Sequence, residues 1–264
     1  MIDIHAHLCF PDFDRNRDAI AAKCGELMTA VIVSSARYDE GLCALRLAEK
    51  HRKLFVTLGY HPTEGGTGTE KIAELIRKNR DRIVGIGEVG LDYHWEKDPK
   101  KRQDQKATFR KFIGLAEELD KPLVVHSWDA EQDCYEMVKG FNGPVIFHCF
   151  SGQKELALEI LKHSDNFISF STQILFSKNH RKLARDVPLE RMTLETDAPF
   201  LSPLKYLELK GEKNKLLAGF DPKLNYPWNV RLAAEKIAEI KGVKAEEVLR
   251  KTTENASKAF GLEI

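Results

Sequence analysis

Residues 121–127 read KPLVVHS. A proline introduces Leu123, Val124 and Val125, and the run ends in a histidine. A segment this short and apolar at consecutive positions is the pattern of a strand covered on both faces, as parallel strands are. The same pattern recurs on both sides of it. Downstream lie GPVIFHCFSG (143–152), NFISFSTQI (166–174) and RMTLETDAPF (191–200). Upstream lie MIDIHAHL (1–8), MTAVIVSSA (28–36), KLFVTLGYHP (53–62) and DRIVGIGEVGLDYH (81–94). Gly or Pro precedes several of these runs, as expected where a helix has just stopped.

Helical patterns separate most of the predicted strands. DEGLCALRLAEKHRK (39–53) carries apolar residues at Leu42, Leu45 and Leu47 among charges, and residues 100–120 form the longest and best patterned segment. Residues 131–140 and 153–164 follow the fifth and sixth strands. Eight strands alternating with helices predict an α/β fold, a TIM-type (β/α)8 barrel. An open doubly wound sheet fits less well, because no G-x-G-x-x-G loop follows the first strand. From about residue 203 the chain turns lysine-rich and broken, which predicts a long excursion after the eighth strand. Residues 228–242 then read as the eighth helix and 244–262 as a closing C-terminal helix. Residues 1–264 are expected to form one domain, since barrels of this size are commonly undivided.

The 41 Lys+Arg against 40 Asp+Glu leave a net charge of +1, so no global electrostatic footprint for nucleic acid or anionic membrane appears. The five cysteines (Cys9, Cys24, Cys43, Cys134, Cys149) form no C-x-x-C pair and are odd in number. They suit a reducing compartment better than a disulfide framework. With no signal peptide or membrane span visible, a cytoplasmic location is expected, with no membrane association and no obligate protein partner.

Polar residues concentrate at the ends of these strands: His5 and His7, His61, Glu88, His126, His148 and Asp197. In a parallel barrel all C-terminal strand ends share one face, which holds the active site. Side chains two residues apart on a strand point the same way, so His5 and His7 are expected to face one ion together, with Asp3 on the same face one step deeper as an orienting group. Imidazoles and carboxylates converging from separate strands point to divalent metal: zinc, manganese, iron or cobalt, with magnesium admitted by the carboxylates. Singly, each residue has a structural reading: a hydrogen-bonded core histidine, a carboxylate paired with arginine, or a cap before Pro199. The six together, His5, His7, Glu88, His126, His148 and Asp197, are the expected metal ligands. His61 reads as a substrate contact or a rim hydrogen bond, and His94 as a rim residue. His51, His163 and His180 read as surface.

These motifs resemble the TatD-type metal-dependent hydrolases, deoxyribonucleases of the amidohydrolase-like barrel superfamily. The matching stretches are DIHAHL, GYHP, GEVGLDY, VVHSWDA, HCFSG and LETDAPFLSP, in the family's order across residues 1–203, with Gln105 and Phe109 also fitting. The resemblance implies two divalent ions per chain, zinc, manganese or magnesium. His5, His7, Glu88 and Asp197 would hold one, and Glu88, His126 and His148 the other, with Glu88 shared. It also implies a DNA substrate, often degraded from the 3′ end. Asp197, ligand and neighbour of the attacking water, is the expected catalytic proton acceptor before in-line attack on phosphorus. Glu195 faces the same way and is expected to position that aspartate or water, unless it forms a structural ion pair.

The chain departs from the family at three places. Trp128 stands where an arginine is common, Leu224 in KLNYP (223–227) replaces another, and Thr172 replaces a glycine. Loss of two rim cations bears on the substrate and leaves the metal chemistry untouched. Trp128 can stack on a base or mark a substrate that is not nucleic acid. Lys205, Lys210, Lys213, Lys215 and Lys223 are candidate replacement cations. Two alternatives to a DNA phosphodiesterase stay open: a hydrolase of another ester, lactone or amide, and a non-catalytic binding descendant.

Overall fold

The computed structural model describes residues 1–163 and 165–263. The strands are β1 (Ile2–Ala6), β2 (Ala30–Ser34), β3 (Leu54–Leu58), β4 (Gly85–Gly90), β5 (Leu123–His126), β6 (Val145–Phe147), β7 (Asn166–Phe170) and β8 (Met192–Leu194). They pair in sequence order, every pair parallel. A bridge between Ala6 and Ala198 draws β1 toward the end of β8, so the sheet forms a nearly closed barrel. Helices α1 (Arg17–Leu27), α2 (Tyr38–Lys50), α3 (Thr69–Lys78), α4 (Pro99–Leu119), α5 (Glu131–Val138), α6 (Lys154–Ile160) and α7 (Lys178–Asp186) lie between successive strands. After β8 come α8 (Leu204–Lys210), α9 (Val230–Lys241) and α10 (Ala245–Phe260). The excursion after β8 thus carries a short helix where the sequence suggested only loop. Among the described residues, no helix is long and apolar enough to cross a membrane.

The two faces of the barrel strands have separate jobs. One set, including Val31, Val56, Leu58, Leu123, Val125 and Phe147, belongs to the large core shared with the surrounding helices. The other set, Ile4, Ile32, Val124, Ile146 and Phe167, packs with Ala256, Ala259 and Phe260 of α10. By the two-residue period of a strand, Ile32 shares its face with Ser34, Val124 with His126 and Ile146 with His148. The lumen is therefore apolar at its base, where α10 closes it, and polar at its mouth.

Two irregularities break that period. The β1–β2 register slips between Asp3 and Ala6, and the β4–β5 register slips between Ile86 and Val89. Each slip sets two residues against one, as a β-bulge does. The first lets both Ile4 and His5 face the lumen, which moves Asp3 off the histidine face where simple alternation puts it. The Asp3 carboxylate instead accepts hydrogen bonds from the Thr196 backbone N–H (3.0 Å), the Thr196 hydroxyl (2.5 Å) and the His5 N–H (3.1 Å). It ties β1 to the segment after β8. The second slip turns Glu88 inward. Gly90 permits this close strand contact: its φ is +147°, and a Cβ there would lie 2.0 Å from the His126 carbonyl oxygen.

Two expectations fail at the level of single residues. Cys9 and Cys43 form a disulfide, their Cα atoms 5.9 Å apart. The fold brings the residue just past β1 against the second turn of α2, and a separation of 34 residues gives no hint of that. His180 is buried, with burial pushing its pKa down to about 4. Its Nδ1 lies 2.8 Å from the Ser177 hydroxyl.

Phe260 supplies the apolar plug, so Phe260→Ala should lower unfolding free energy in urea by roughly 3–5 kcal/mol, the usual range for emptying such a site. A loss below about 1 kcal/mol, the scale of an ordinary substitution, would mean that α10 does not close the lumen.

Candidate metal centre

Residues at and just beyond the strand ends build the mouth of the barrel. His5 lies in β1 and His7 just after it; Glu88 lies in β4 and His126 ends β5. His61, His148 and Asp197 follow β3, β6 and β8. Asp197 adopts a left-handed backbone, φ +57°, uncommon for a residue with a Cβ. Its N–H donates to the His5 carbonyl at 3.0 Å and its carbonyl accepts from Phe200 N–H at 2.9 Å, which hold it over β1.

Glu88 is the centre of the cluster. Its Oε2 lies 3.4 Å from His5 Nε2 and 3.4 Å from His7 Nε2. Its Oε1 lies 2.8 Å from His126 Nδ1, 2.9 Å from His148 Nε2 and 3.6 Å from His61 Nε2. Asp197 Oδ1 completes the first group, 3.5 Å from His7 Nε2 and 3.8 Å from His5 Nε2. His5 and His7 hold their Nε2 atoms 3.1 Å apart. Ligands about 2.1 Å from one tetrahedral ion stand roughly 3.4 Å from each other, so this donor set fits a divalent cation. Glu88 therefore presents one oxygen to each of two donor groups.

Three of the imidazoles have a partner behind the nitrogen that faces away from Glu88. His5 Nδ1 lies 3.1 Å from the Ser34 hydroxyl. His126 Nε2 lies 2.9 Å from Asp92 Oδ2. His148 Nδ1 lies 3.4 Å from Glu195 Oε1. An ionised carboxylate only accepts, so Asp92 fixes the proton on His126 Nε2 and turns the Nδ1 lone pair toward Glu88; Glu195 faces His148 Nδ1 across an ion-pair distance without a formed hydrogen bond. Metal-binding histidines are held in this way. His7 Nδ1 is likewise buried without a hydrogen-bond partner, as is His148 Nδ1, which has only the ion-pair contact with Glu195.

The electrostatics follow from packing many titratable groups into a dry pocket. Burial alone lowers the pKa of His7, but the carboxylates of Asp197 and Glu88 outweigh it and push the value up to about 10. Burial opposes the charge of Glu88, yet the surrounding imidazoles, His148 foremost, hold it well below the usual carboxylate range. Burial likewise opposes Glu195, which His148 first, then His5 and the Cys149 side chain, hold down near 2. Protons and divalent cations compete for the same lone pairs.

The sequence names all of these groups except Asp92 and Ser34. Asp92 stands four residues after Glu88 within GEVGLDY, and its spacing alone does not reveal that the turn brings it beneath His126. Gln105 on α4 secures that turn, accepting from Asp92 N–H at 3.0 Å and donating to its carbonyl at 3.3 Å. Glu195 is fully buried and meets His148, Ser169 (2.8 Å) and Cys149 N–H (2.6 Å) rather than Asp197. His61 and Trp128 both line the cleft of about 550 Å³ above the cluster. Leu224 packs against the core, and Thr172 donates to the Leu201 carbonyl at 2.8 Å. None of Lys205, Lys210, Lys213, Lys215 and Lys223 lines the cleft; Lys213 pairs with Glu208, and Lys215 with Glu212 and Glu235.

Such an assembly of imidazoles and carboxylates at the mouth of a parallel barrel defines a metal-dependent hydrolase. The chain belongs to the TatD family: the family described as TatD related DNase matches residues 2–261. An uncharacterised metal-dependent hydrolase of Methanocaldococcus jannaschii is 38% identical over 98% of this chain and 96% of its own length. The human deoxyribonuclease TATDN3 is 30% identical over 98% of this chain and 94% of its own. In fold, the chain resembles the TatD homologue YjjV of Escherichia coli, with a TM-score of 0.84 at 23% identity over 100% of this chain and 98% of the other.

If Asp92 and Glu195 orient their histidines, Asp92→Asn and Glu195→Gln should each weaken divalent-metal affinity by about 10- to 100-fold. Titration calorimetry on folded variants measures this, and unchanged affinity in both would remove the orienting role.

Proposed function

We propose that the protein hydrolyses phosphodiester bonds of DNA with two divalent ions, zinc, manganese or magnesium, acting as one domain. The observation that carries this reading is the division of Glu88, whose Oε2 meets the β1 histidines while Oε1 meets His126 and His148. His5, His7, Asp197 and Glu88 would hold one ion, and His126, His148 and Glu88 the other. Bound there, such ions supply Lewis-acid charge to phosphoryl oxygens and a water whose proton leaves near neutral pH. The name deoxyribonuclease carried by human TATDN3 supports DNA as the substrate.

The chain's own residues hold the reacting groups and move the proton. The Asp197 carboxylate is 18% exposed, more than the other five ligand side chains, so it is the one best placed to meet water from the cleft. It accepts the proton of the attacking water. His61 lies at the wall beside Glu88, where burial pushes its pKa down to about 4. It is thus a neutral hydrogen-bonding group near pH 7 that can meet a substrate oxygen. Ser34 and Asp92 keep the His5 and His126 lone pairs aimed inward, and Glu195 lies beside His148, so little reorganisation accompanies binding.

The test is to strip the protein with chelator, restore Mg²⁺, Mn²⁺ or Zn²⁺ in turn, and follow cleavage of 3′-labelled single-stranded DNA. Cleavage should return with metal and be absent from the His5→Ala/His7→Ala double variant. Asp197→Asn, assayed at saturating metal, should lower kcat by about 10²- to 10⁴-fold, the usual contribution of general-base catalysis. Metal bound without any cleavage would overturn the DNA assignment and direct attention to ester and amide substrates.

A further inference from the structure

The cleft above the metal cluster is unusual for a site that takes a polyanion. Among the described residues that line it there is no lysine or arginine. Its walls are aromatic instead. On one side Trp128 is 41% exposed and Trp95 69% exposed. One face of the Trp128 indole is backed by the His94 ring, 3.9 Å away between centroids and tilted by 7°, and Trp95 meets it edge-on at 6.1 Å. His94 is itself steadied by Asp129, 3.1 Å from its Nδ1. Also lining the cleft are Phe10 and Phe200, 5.0 Å apart, with Phe200 44% exposed.

On the Trp128 side, the ground beyond the cleft is hostile to phosphate. A broad groove meets it at Trp128 and Ser151 and runs between α5 and α6. Asp129, Glu131, Glu136, Glu155 and Glu159 line that groove against a single lysine, Lys139. A backbone leaving the metal centre in that direction would run along carboxylates that outnumber the nearby cations, Lys139 beside Glu136 and Lys162 beside Glu159. Positive charge in the cleft is thus confined to what the metal centre would hold. Meanwhile the exposed rings offer what a nucleobase recognises, since base–aromatic stacking is indifferent to sequence and needs no cation.

We propose that this cleft recognises the end of a nucleic-acid strand by stacking a terminal base on the Trp128 platform, and that contact extends only about two nucleotides from the scissile bond. This deepens the phosphodiesterase reading and rests on it. Short oligonucleotides are therefore as good substrates as long strands. Binding depends weakly on salt, because each phosphate neutralised by the protein adds roughly 0.7 to the log–log slope for single strands. The indole at position 128 exchanges a phosphate contact for a base contact.

The test is a binding measurement that does not depend on turnover. Phosphorothioate dA–dA, phosphorothioate dA20 and a dA20 lacking its 3′-terminal base are titrated into the Mn²⁺-loaded protein, followed by tryptophan fluorescence. The two intact ligands should bind within about threefold of each other, with a salt slope shallower than about −1.5. Removing the terminal base, or Trp128→Ala, should weaken binding roughly 5- to 150-fold. Trp128→Arg should steepen the slope by about 0.7. A 20-mer bound more than about 30-fold tighter than the dinucleotide, or indifference to the missing base, would show backbone tracking and overturn the inference. So would an absence of binding in a protein that still cleaves DNA. Base-dependent, length-independent binding without cleavage of unmodified DNA would uphold this inference and sink the phosphodiesterase reading instead.

Discussion

The structure turns on the carboxylate of Glu88. One oxygen faces the two histidines of β1 and the other faces those that end β5 and follow β6, so a single side chain joins groups 38 to 83 residues distant in sequence. It is almost fully buried, and an ionised carboxylate at that depth survives only with strong partners. The imidazoles provide them, and in return Glu88 favours their protonated or cation-bound forms. Without the histidines, burial would drive Glu88 to take up a proton.

The barrel exists to hold that arrangement. Its lumen is divided along its axis, apolar where α10 closes the base and polar at the mouth. Two bulges, in β1 and β4, set the transition. They let His5 and Glu88 turn inward directly above apolar layers. Behind the imidazoles stand Ser34, Asp92 and Glu195, each on a different strand or strand extension. The orientation of the donor atoms is thus set by the sheet rather than by mobile loops, which is what a preorganised metal centre needs.

The strand pattern and the residues at the strand ends were legible because both depend on local periodicity. Short apolar runs mark parallel strands, and a polar residue at the end of such a run is conspicuous. What the sequence hid depends on tertiary contact. The bulges that relocate Asp3 and aim Glu88 are register events between two strands, and neither strand shows them alone. Asp92 looks like any loop aspartate until the β4 turn carries it under His126. The partnership of Cys9 with Cys43 and the burial of His180 likewise arise only when helices dock. Trp128 was conspicuous as a departure from the family, but the acidic groove beside it is assembled from two helices and reads in sequence as ordinary solvated charge.

The claim that Glu88 ties two ion sites into one centre is tested most directly by metal content. Wild type, Glu88→Ala and Glu88→Gln would be loaded with Zn²⁺ or Mn²⁺, dialysed, and assayed for bound metal by mass spectrometry, with circular dichroism confirming the fold. Two ions per wild-type chain, and loss of both in each folded variant, is the predicted result. Two ions retained in Glu88→Ala would contradict the account, because the two donor groups would then be independent.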